Sequence, residues 1–149
     1  VTYYETTGWR GVMETENGSP VPRRFQSLPG GVFPLYHVLA DVGEFAGGEV
    51  VASNSQAPLK VDGLVLRKGG RVRLLLANLS PEPQTVRVTN AGLGKQIRIK
   101  QLDETSAERA MTSPESFRAE PGNVQAVSGG QAEITLPPYA VTRIDSERG

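Results

Sequence analysis

The sequence predicts a mainly β protein: an antiparallel β-sandwich preceded by a strand, a long loop and one helix. The first observation is the stretch 71–80, where apolar side chains occupy both faces of an extended chain from Leu74 onward. A strand that is covered on both faces is a central strand with a neighbour on either side. The second observation is the change from helical spacing before Gly47 to a period of two after Glu49.

The N-terminal third carries the first predicted elements. β-Branched and aromatic residues at 1–6 predict a strand that ends before Gly8. Residues 8–31 hold five glycines and three prolines without apolar periodicity, which predicts a long loop. Loops of more than about 12–15 residues within a compact domain are commonly functional or mobile. The search for function therefore begins in this loop.

One amphipathic helix follows the loop. Its apolar residues recur at the three- and four-residue spacing of a single helical face: Leu35, Val38, Leu39 and Val42. Proline suits the first position and the glycine pair at 47–48 suits the end, so the predicted helix runs from Pro34 to Ala46. The polar side carries His37, Asp41 and Glu44, and we expect the broad apolar stripe to pack against something large.

The remaining sequence predicts the sandwich. Strands are expected to include the alternating apolar residues near Val50, Leu59 to Leu66, the central stretch 71–80, Val86, Ile97, Ala132 and Tyr139 to Ile144. Gly63 interrupts the alternation and predicts a bulge. Short helices are predicted from Thr105 or Ser106 to Met111 and again at Pro114. We expect 120–130 to be a loop and residues from Ser146 to be a frayed tail.

These elements define two segments, 1–47 and 48–149, with the sandwich in the second. Because Val1 lies inside a predicted strand and no initiator methionine precedes it, we expect a fragment of a longer protein. The chain has 149 residues, which suits one domain with an appendage.

The composition excludes several classes of function. Sixteen basic and sixteen acidic residues cancel and are interspersed, which argues against a nucleic-acid or anionic-membrane partner. No apolar run approaches the roughly 20 residues of a membrane span. With no cysteine and one histidine, a thiolate or histidine-rich metal site is excluded. Acids at 103, 104 and 108 suit helix N-termini better than a calcium site, so neither a metal nor a cofactor is expected.

Glu5, Trp9 and Arg10 are the candidate site residues. At a strand end Glu5 can act as a general acid or base, and Trp9 can form an apolar wall or a sugar-stacking platform. The alternative is a surface glutamate beside a gap-filling tryptophan. The Arg10 guanidinium either binds a substrate carboxylate through two parallel hydrogen bonds or pairs with Glu14 or Glu16.

Other motifs favour structural interpretations. His37 is a candidate ligand or proton carrier, but as the only histidine it suits a hydrogen-bonded helix position better. The patterns at Asn17 and Asn78 match a glycosylation signal that is short and common by chance, so no sugar attachment is inferred.

The order of these segments resembles a known architecture. A strand ending in Glu5-Thr6-Thr7-Gly8-Trp9-Arg10-Gly11, a long loop, the segment from Phe33 to Val42 and an all-β domain are similar to the end of a glycosidase-type (β/α)8 barrel. In that superfamily, which includes the heparanase-related hydrolases, the eighth strand and helix lead into a C-terminal β-sandwich. Residues 4–13 resemble the D-apionate lactonase family, bacterial enzymes that open a sugar-acid lactone. Residues 74–83 and 134–141 are similar to strands of such accessory domains.

The resemblance implies a non-catalytic accessory sandwich that packs against and stabilises the catalytic barrel of a bacterial hydrolase, either a sugar-acid lactonase or a glycoside hydrolase-like enzyme. It implies a carbohydrate or sugar acid as the parent's ligand and a cytoplasmic location. Glu5 would be catalytic only in the full-length parent, Trp9 and Arg10 would bind substrate, and the isolated chain would be inactive.

Two rival functions remain open. One is a carbohydrate-binding module, although Tyr139 is the main aromatic residue that the strands offer. The other is a stand-alone protein-interaction sandwich. We also expect that two copies can pair through the exposed N-terminal segment, since an unprotected strand edge invites pairing.

Overall fold

A computed structural model describes residues 5–147 of the chain. They form two compact units, one of residues up to 43 with 105–120, and one of 44–104 with residues from 121 onward. The sequence-based division at residue 47 placed 105–120 with the sandwich, whereas here these residues belong to the first unit. The predicted first strand, 1–6, lies mainly outside the described residues, and Glu5 and Thr6 are not in a strand.

The first unit contains three helices, α1 (Pro34–Gly43), α2 (Ala107–Thr112) and α3 (Pro114–Ala119). The predicted starts of α1 and α3 at prolines are confirmed. The predicted end of α1 at Ala46 is three residues too late, because Glu44 and Phe45 leave the helix and contact Arg73 in the second unit. The long loop before α1 is confirmed, with only single bridges pairing Thr7 with Met13 and Met13 with Val32.

Two residues on the polar side of α1 are buried. His37 and Asp41 are 3% and 8% exposed. His37 Nε2 lies 2.9 Å from the carbonyl oxygen of Ala110, and Arg118 donates to Asp41 Oδ1 at 2.9 Å. Because α2 and α3 supply these polar partners, the polar side of α1 is buried within this unit.

The second unit holds eight strands in two sheets. They are β1 (Glu49–Val51), β2 (Val61–Lys68), β3 (Arg71–Asn78), β4 (Gln84–Val88), β5 (Gln96–Leu102), β6 (Asn123–Ala126), β7 (Ala132–Leu136) and β8 (Val141–Glu147). Six of them form a sheet in the order β1-β2-β3-β8-β5-β6, and β4 pairs with β7 in the other sheet. All pairs of strands are antiparallel, so the predicted antiparallel sandwich is confirmed.

The core lies between the two sheets and is built from alternate positions of the strands. On β3, Val72 and Leu74 are 1% and 2% exposed and belong to this core. Leu75 points to the opposite face and is 4% exposed, so β3 is covered on both faces and paired on both edges, as predicted. The two-stranded sheet is narrower than the six-stranded sheet. A cleft of about 910 Å³ is lined in part by residues of β2 and β4.

Three details of the second unit differ from the prediction. Gly63 pairs in register with Leu76 and makes no bulge; a Cβ there would lie 2.2 Å from the carbonyl oxygen of Leu75, so glycine permits a close approach. Strand β6 occupies part of the expected loop 120–130. Ser146 is 4% exposed and its Oγ accepts from the Gly94 amide at 2.8 Å, so β8 continues past the predicted start of the tail.

Among residues 5–147, no helix combines the length and apolarity needed to cross a membrane.

Candidate functional site

Two of the three predicted site residues, Trp9 and Arg10, lie on one tight turn of the first unit, and Glu5 lies beside it. The carbonyl oxygen of Thr6 accepts from the amides of Val12 and Met13 at 3.0 and 3.2 Å, and the Gly8 amide donates to Met13 at 2.6 Å. A fourth bond, 2.7 Å long, joins the Gly11 amide to the Gly8 carbonyl. These bonds close the segment 6–13 and place Trp9 and Arg10 at its tip.

Two glycines make this turn possible. Gly8 has φ +111°, a conformation that L side chains rarely adopt. A Cβ on Gly11 would lie 2.6 Å from the Thr6 carbonyl oxygen, so only glycine fits against that backbone. The spacing of the glycines around Trp9 and Arg10 in the sequence therefore has a structural cause.

Trp9 and Arg10 form a stacked pair, which we call the Trp9–Arg10 unit. The guanidinium carbon of Arg10 lies 4.6 Å from the centre of the indole ring, a cation–π distance. The indole contacts Phe25 at a centroid distance of 5.6 Å, and Phe25 contacts Phe33 at 6.0 Å. The indole thus contacts one further aromatic ring, that of Phe25, and Arg10 is exposed.

Glu5 lies beside the same turn. Its Oε2 would be 3.0 Å from a Cβ built on Gly8, and its side chain is exposed. A carboxylate in this position is accessible to a ligand, and the turn brings it near the segment that carries the Trp9–Arg10 unit. The catalytic role expected of Glu5 stays a prediction.

The structural alternative for Arg10 is wrong. Within the described residues no carboxylate pairs with its guanidinium, whose recorded contact is the indole of Trp9. Glu14 is 4% exposed and its Oε1 accepts from the amide of Thr15 at 2.8 Å. Glu16 is exposed, and its carboxylate does not form an ion pair with Arg10 either. The arginine is therefore held by stacking and not by charge pairing.

The other sequence motifs have structural roles. His37 is buried between Tyr36 and Phe117, at ring distances of 5.3 and 4.9 Å, which matches the packed position that the sequence favoured. Asn78 is 2% exposed and its amide donates to three backbone carbonyls, so it is not available for sugar attachment. In the part of the chain that the structure describes, no group of acids and histidine could hold a metal ion.

The site chemistry available here is recognition of an anion and of an apolar face, next to one carboxylate. Sequence reasoning missed Phe25 and Phe33, which support Trp9. The available signal was the presence of two phenylalanines in and just after a loop otherwise rich in glycine, proline and charge.

The comparison with protein families decides the relationship. The model of the D-apionate lactonase C-terminal immunoglobulin-like domain matches residues 58–144, more than half of the chain. The chain belongs to this family. The resemblance of the sequence to the D-apionate lactonases is confirmed. The match to the immunoglobulin-like domain covers most of the second unit, where both sheets lie, and also residues 105–120 of the first unit. No curated protein matches the chain.

Solved structures of glycoside hydrolases share the fold of this D-apionate lactonase domain. A GH30 endoxylanase from Clostridium papyrosolvens C71 has a TM-score of 0.62 and 13% identity over 78% of this chain and 28% of that chain. A family 30 subfamily 8 xylanase from Clostridium acetobutylicum has a TM-score of 0.63 and 14% identity, covering 93% and 31%. A Paenibacillus polymyxa GH44 xyloglucanase has values of 0.54 and 13%, covering 67% and 19%.

At these identities the likeness shows the fold alone. This member of the D-apionate lactonase family spans less than a third of each of the three glycoside hydrolases.

Proposed function

We propose that the chain is the C-terminal accessory part of a bacterial sugar-acid lactonase or glycoside hydrolase-like enzyme. Its sandwich packs against and stabilises a catalytic (β/α)8 barrel of the same polypeptide. Its N-terminal segment supplies the last strand and helix of that barrel. The family match and the shared fold of the glycoside hydrolases support this function. On its own the chain has no turnover.

The observation that carries the proposal is the partial exposure of the apolar stripe of α1. The helix buries His37 and Asp41 and leaves Leu39 and Val42, both on its apolar stripe, at 36% exposure. An amphipathic helix normally directs its apolar stripe toward a core. Within the described residues these two side chains stay partly exposed, and a barrel of which α1 is the last helix would cover them.

In this proposal the Trp9–Arg10 turn lies at the mouth of the barrel. Loops that follow the strands of a (β/α)8 barrel converge on the active site. Glu5 then serves as a general acid or base toward the substrate, with Trp9 and Arg10 as binding residues. The catalytic partners of Glu5 come from the earlier strands of the parent.

The sequence upstream of Val1 tests the proposal directly. We expect about seven further strand–helix units, each with a buried apolar strand. The full-length protein should hydrolyse a sugar lactone or glycoside, and the 149-residue chain should not. An upstream region that encodes an unrelated domain, or turnover by the 149-residue chain alone, would contradict it.

One observation favours a second candidate, a carbohydrate-binding module. Tyr139 is 67% exposed at the turn between β7 and β8, where its ring is available to stack on a sugar. Calorimetric titration of the chain with oligosaccharides distinguishes the carbohydrate-binding module from the accessory domain. Saturable heat of binding that is lost in Tyr139→Ala would support the module, and the absence of any heat of binding would exclude it.

A pairing of two copies through the N-terminal segment remains part of the proposal. Sedimentation over a range of concentrations tests it, and a monomer at the highest concentration would remove it.

A further inference from the structure

The cleft of about 910 Å³ in the second unit lies along one edge of β4. All five residues of β4 line it, whereas the described lining takes in a single residue of β7, Glu133. Among residues 5–147, β4 pairs with β7 and with no other strand. The cleft therefore borders the unpaired edge of β4, where alternate backbone amides and carbonyls point away from β7.

The walls of the cleft include the rim of the aliphatic core. Val61 and Val65 of β2 belong to the core, and Leu76, Val86 and Val88 pack against it while staying half-buried. A further strand with apolar residues at every second position would cover such a surface, because side chains alternate along a strand. Among the described residues that line the cleft there is no aromatic side chain, so it offers no stacking platform for a sugar.

The charges around the cleft balance. Its described lining carries two cations, Lys60 and Arg87, and two acids, Asp62 and Glu133. Arg87 and Glu133 pair with each other at 3.6 Å. An ionic ligand would meet no excess of opposite charge here, so the occupant that matches the cleft is neutral in its buried part.

A second copy of the chain does not fit this edge. Antiparallel pairing of β4 with the β4 of another copy needs a two-fold axis perpendicular to the sheet. The six-stranded sheet extends past β4, because residues of β2 line the cleft. The six-stranded sheets of two such copies would occupy the same space. The occupant is therefore a single strand without a wide sheet behind it.

We propose that the cleft binds one extended strand of the parent polypeptide, from outside the 149 residues, which pairs with β4 as a further strand of that sheet. Its apolar side chains at alternate positions complete the burial of Leu76, Val86 and Val88. That the strand belongs to the parent rests on the proposed function, whereas the strand site itself rests on the free edge and the cleft.

The size of the contact favours a strand of the same polypeptide. Five paired residues are far fewer than the roughly 20–30 residues that each partner contributes to a stable separate complex. A tethered strand needs fewer contacts, because its effective concentration is in the millimolar range. The chain spans less than a third of each of the three glycoside hydrolases, so in a parent of similar length most of the polypeptide lies outside it.

Hydrogen–deuterium exchange at single-residue resolution tests the proposal, with the 149-residue chain and the full-length parent compared. The amides of 84–88 that point away from β7 should exchange about 100-fold more slowly in the parent than in the chain. The control is the opposite edge of the same sheet: amides of 132–136 that point away from β4 should exchange at equal rates in both proteins. Deletion of the protecting strand from the parent should return β4 to the rates of the chain.

Equal exchange of the outward β4 amides in the two proteins would overturn the proposal. So would protection that arises in the 149-residue chain and rises with its concentration, because a second copy would then occupy the edge. Protection of β4 in a parent without a barrel would support the strand site and contradict the proposed function. A barrel-containing parent with an unprotected β4 would do the reverse.

Discussion

Arg73 on β3 and Asp145 on the adjacent strand β8 are register partners and form an ion pair 2.6 Å long. The Arg73 side chain is only 2% exposed. The same guanidinium donates to Glu44 Oε2 at 2.6 Å and lies 4.8 Å from the ring centre of Phe45. One buried arginine thus joins the end of the segment after α1 to two central strands of the second unit.

Removal of this arginine should strongly destabilise the sandwich. In Arg73→Ala the carboxylates of Asp145 and Glu44 lose a buried partner, and we expect the free energy of unfolding to fall by about 3–5 kcal/mol. Urea unfolding followed by circular dichroism measures it. The control is Arg87→Ala, whose pair with Glu133 is exposed at 68% and 64%, and which should cost less than about 1 kcal/mol. Equal losses in the two variants would contradict this account.

Gly63 should tolerate no side chain. In Gly63→Ala the new Cβ would lie 2.2 Å from the Leu75 carbonyl oxygen, so β2 and β3 would have to separate. We expect a loss of about 2–3 kcal/mol in urea unfolding. Gly43→Ala is the matched control because a Cβ there meets nothing within 4 Å, and it should change stability by less than about 0.5 kcal/mol. A neutral Gly63→Ala would show that the strands are not so close.

The Asn78 side chain should stabilise the sandwich at the end of β3. Its amide nitrogen donates to carbonyls of Glu82, Leu136 and Pro137, and its Oδ1 accepts from Ser80. Asn78→Ala leaves these buried groups unpaired, and we expect a loss of about 3 kcal/mol. Asn54→Ala, at an exposed position, is the control. If thermal or urea unfolding cannot distinguish the two variants, the network carries little stability.

Glu5 should matter only in the complete enzyme. Glu5→Gln in the full-length parent removes an acid–base group, and we expect kcat/KM to fall by about 100-fold or more. The matched control is Glu16→Gln, another exposed glutamate of the same loop. Unchanged turnover in Glu5→Gln, measured with the parent's own substrate, would remove Glu5 from the site.

Local patterns predicted much of the fold. The alternation of Val72, Leu74 and their neighbours indicated a central strand because burial on both faces leaves a direct mark in the sequence. Prolines at the start of α1 and α3 marked helix starts for the same local reason. Strand β6 was missed because it is only four residues long and its apolar residues, Val124 and Ala126, are exposed; its pairing with β5 supplies the order.

Non-local contacts account for the rest. The burial of Arg73 depends on Asp145, which is 72 residues away in the sequence, and no pattern around residue 73 announces it. The burial of His37 depends on Ala110, 73 residues away. At the candidate site the sequence indicated Glu5, Trp9 and Arg10, but the contact of Arg10 with Trp9 in place of an ion pair with Glu14 or Glu16 became visible only in the turn geometry. The three- and four-residue spacing of apolar residues identified the apolar stripe of α1 but did not indicate which surface packs against it.

The most direct test of the central claim asks whether the stripe of α1 is covered in the parent. The chain has no cysteine, so Val42→Cys introduces a single thiol on the stripe. Its rate of alkylation is measured in the 149-residue chain and in a parent whose other cysteines are replaced. Arg87→Cys, at a position whose native side chain is 68% exposed, is the control.

We predict that the Val42→Cys thiol reacts freely in the 149-residue chain and about 100-fold more slowly in the parent, while the Arg87→Cys thiol reacts at the same rate in both. Equal rates for the Val42→Cys thiol in the two proteins would contradict the claim that α1 is the last helix of a catalytic barrel.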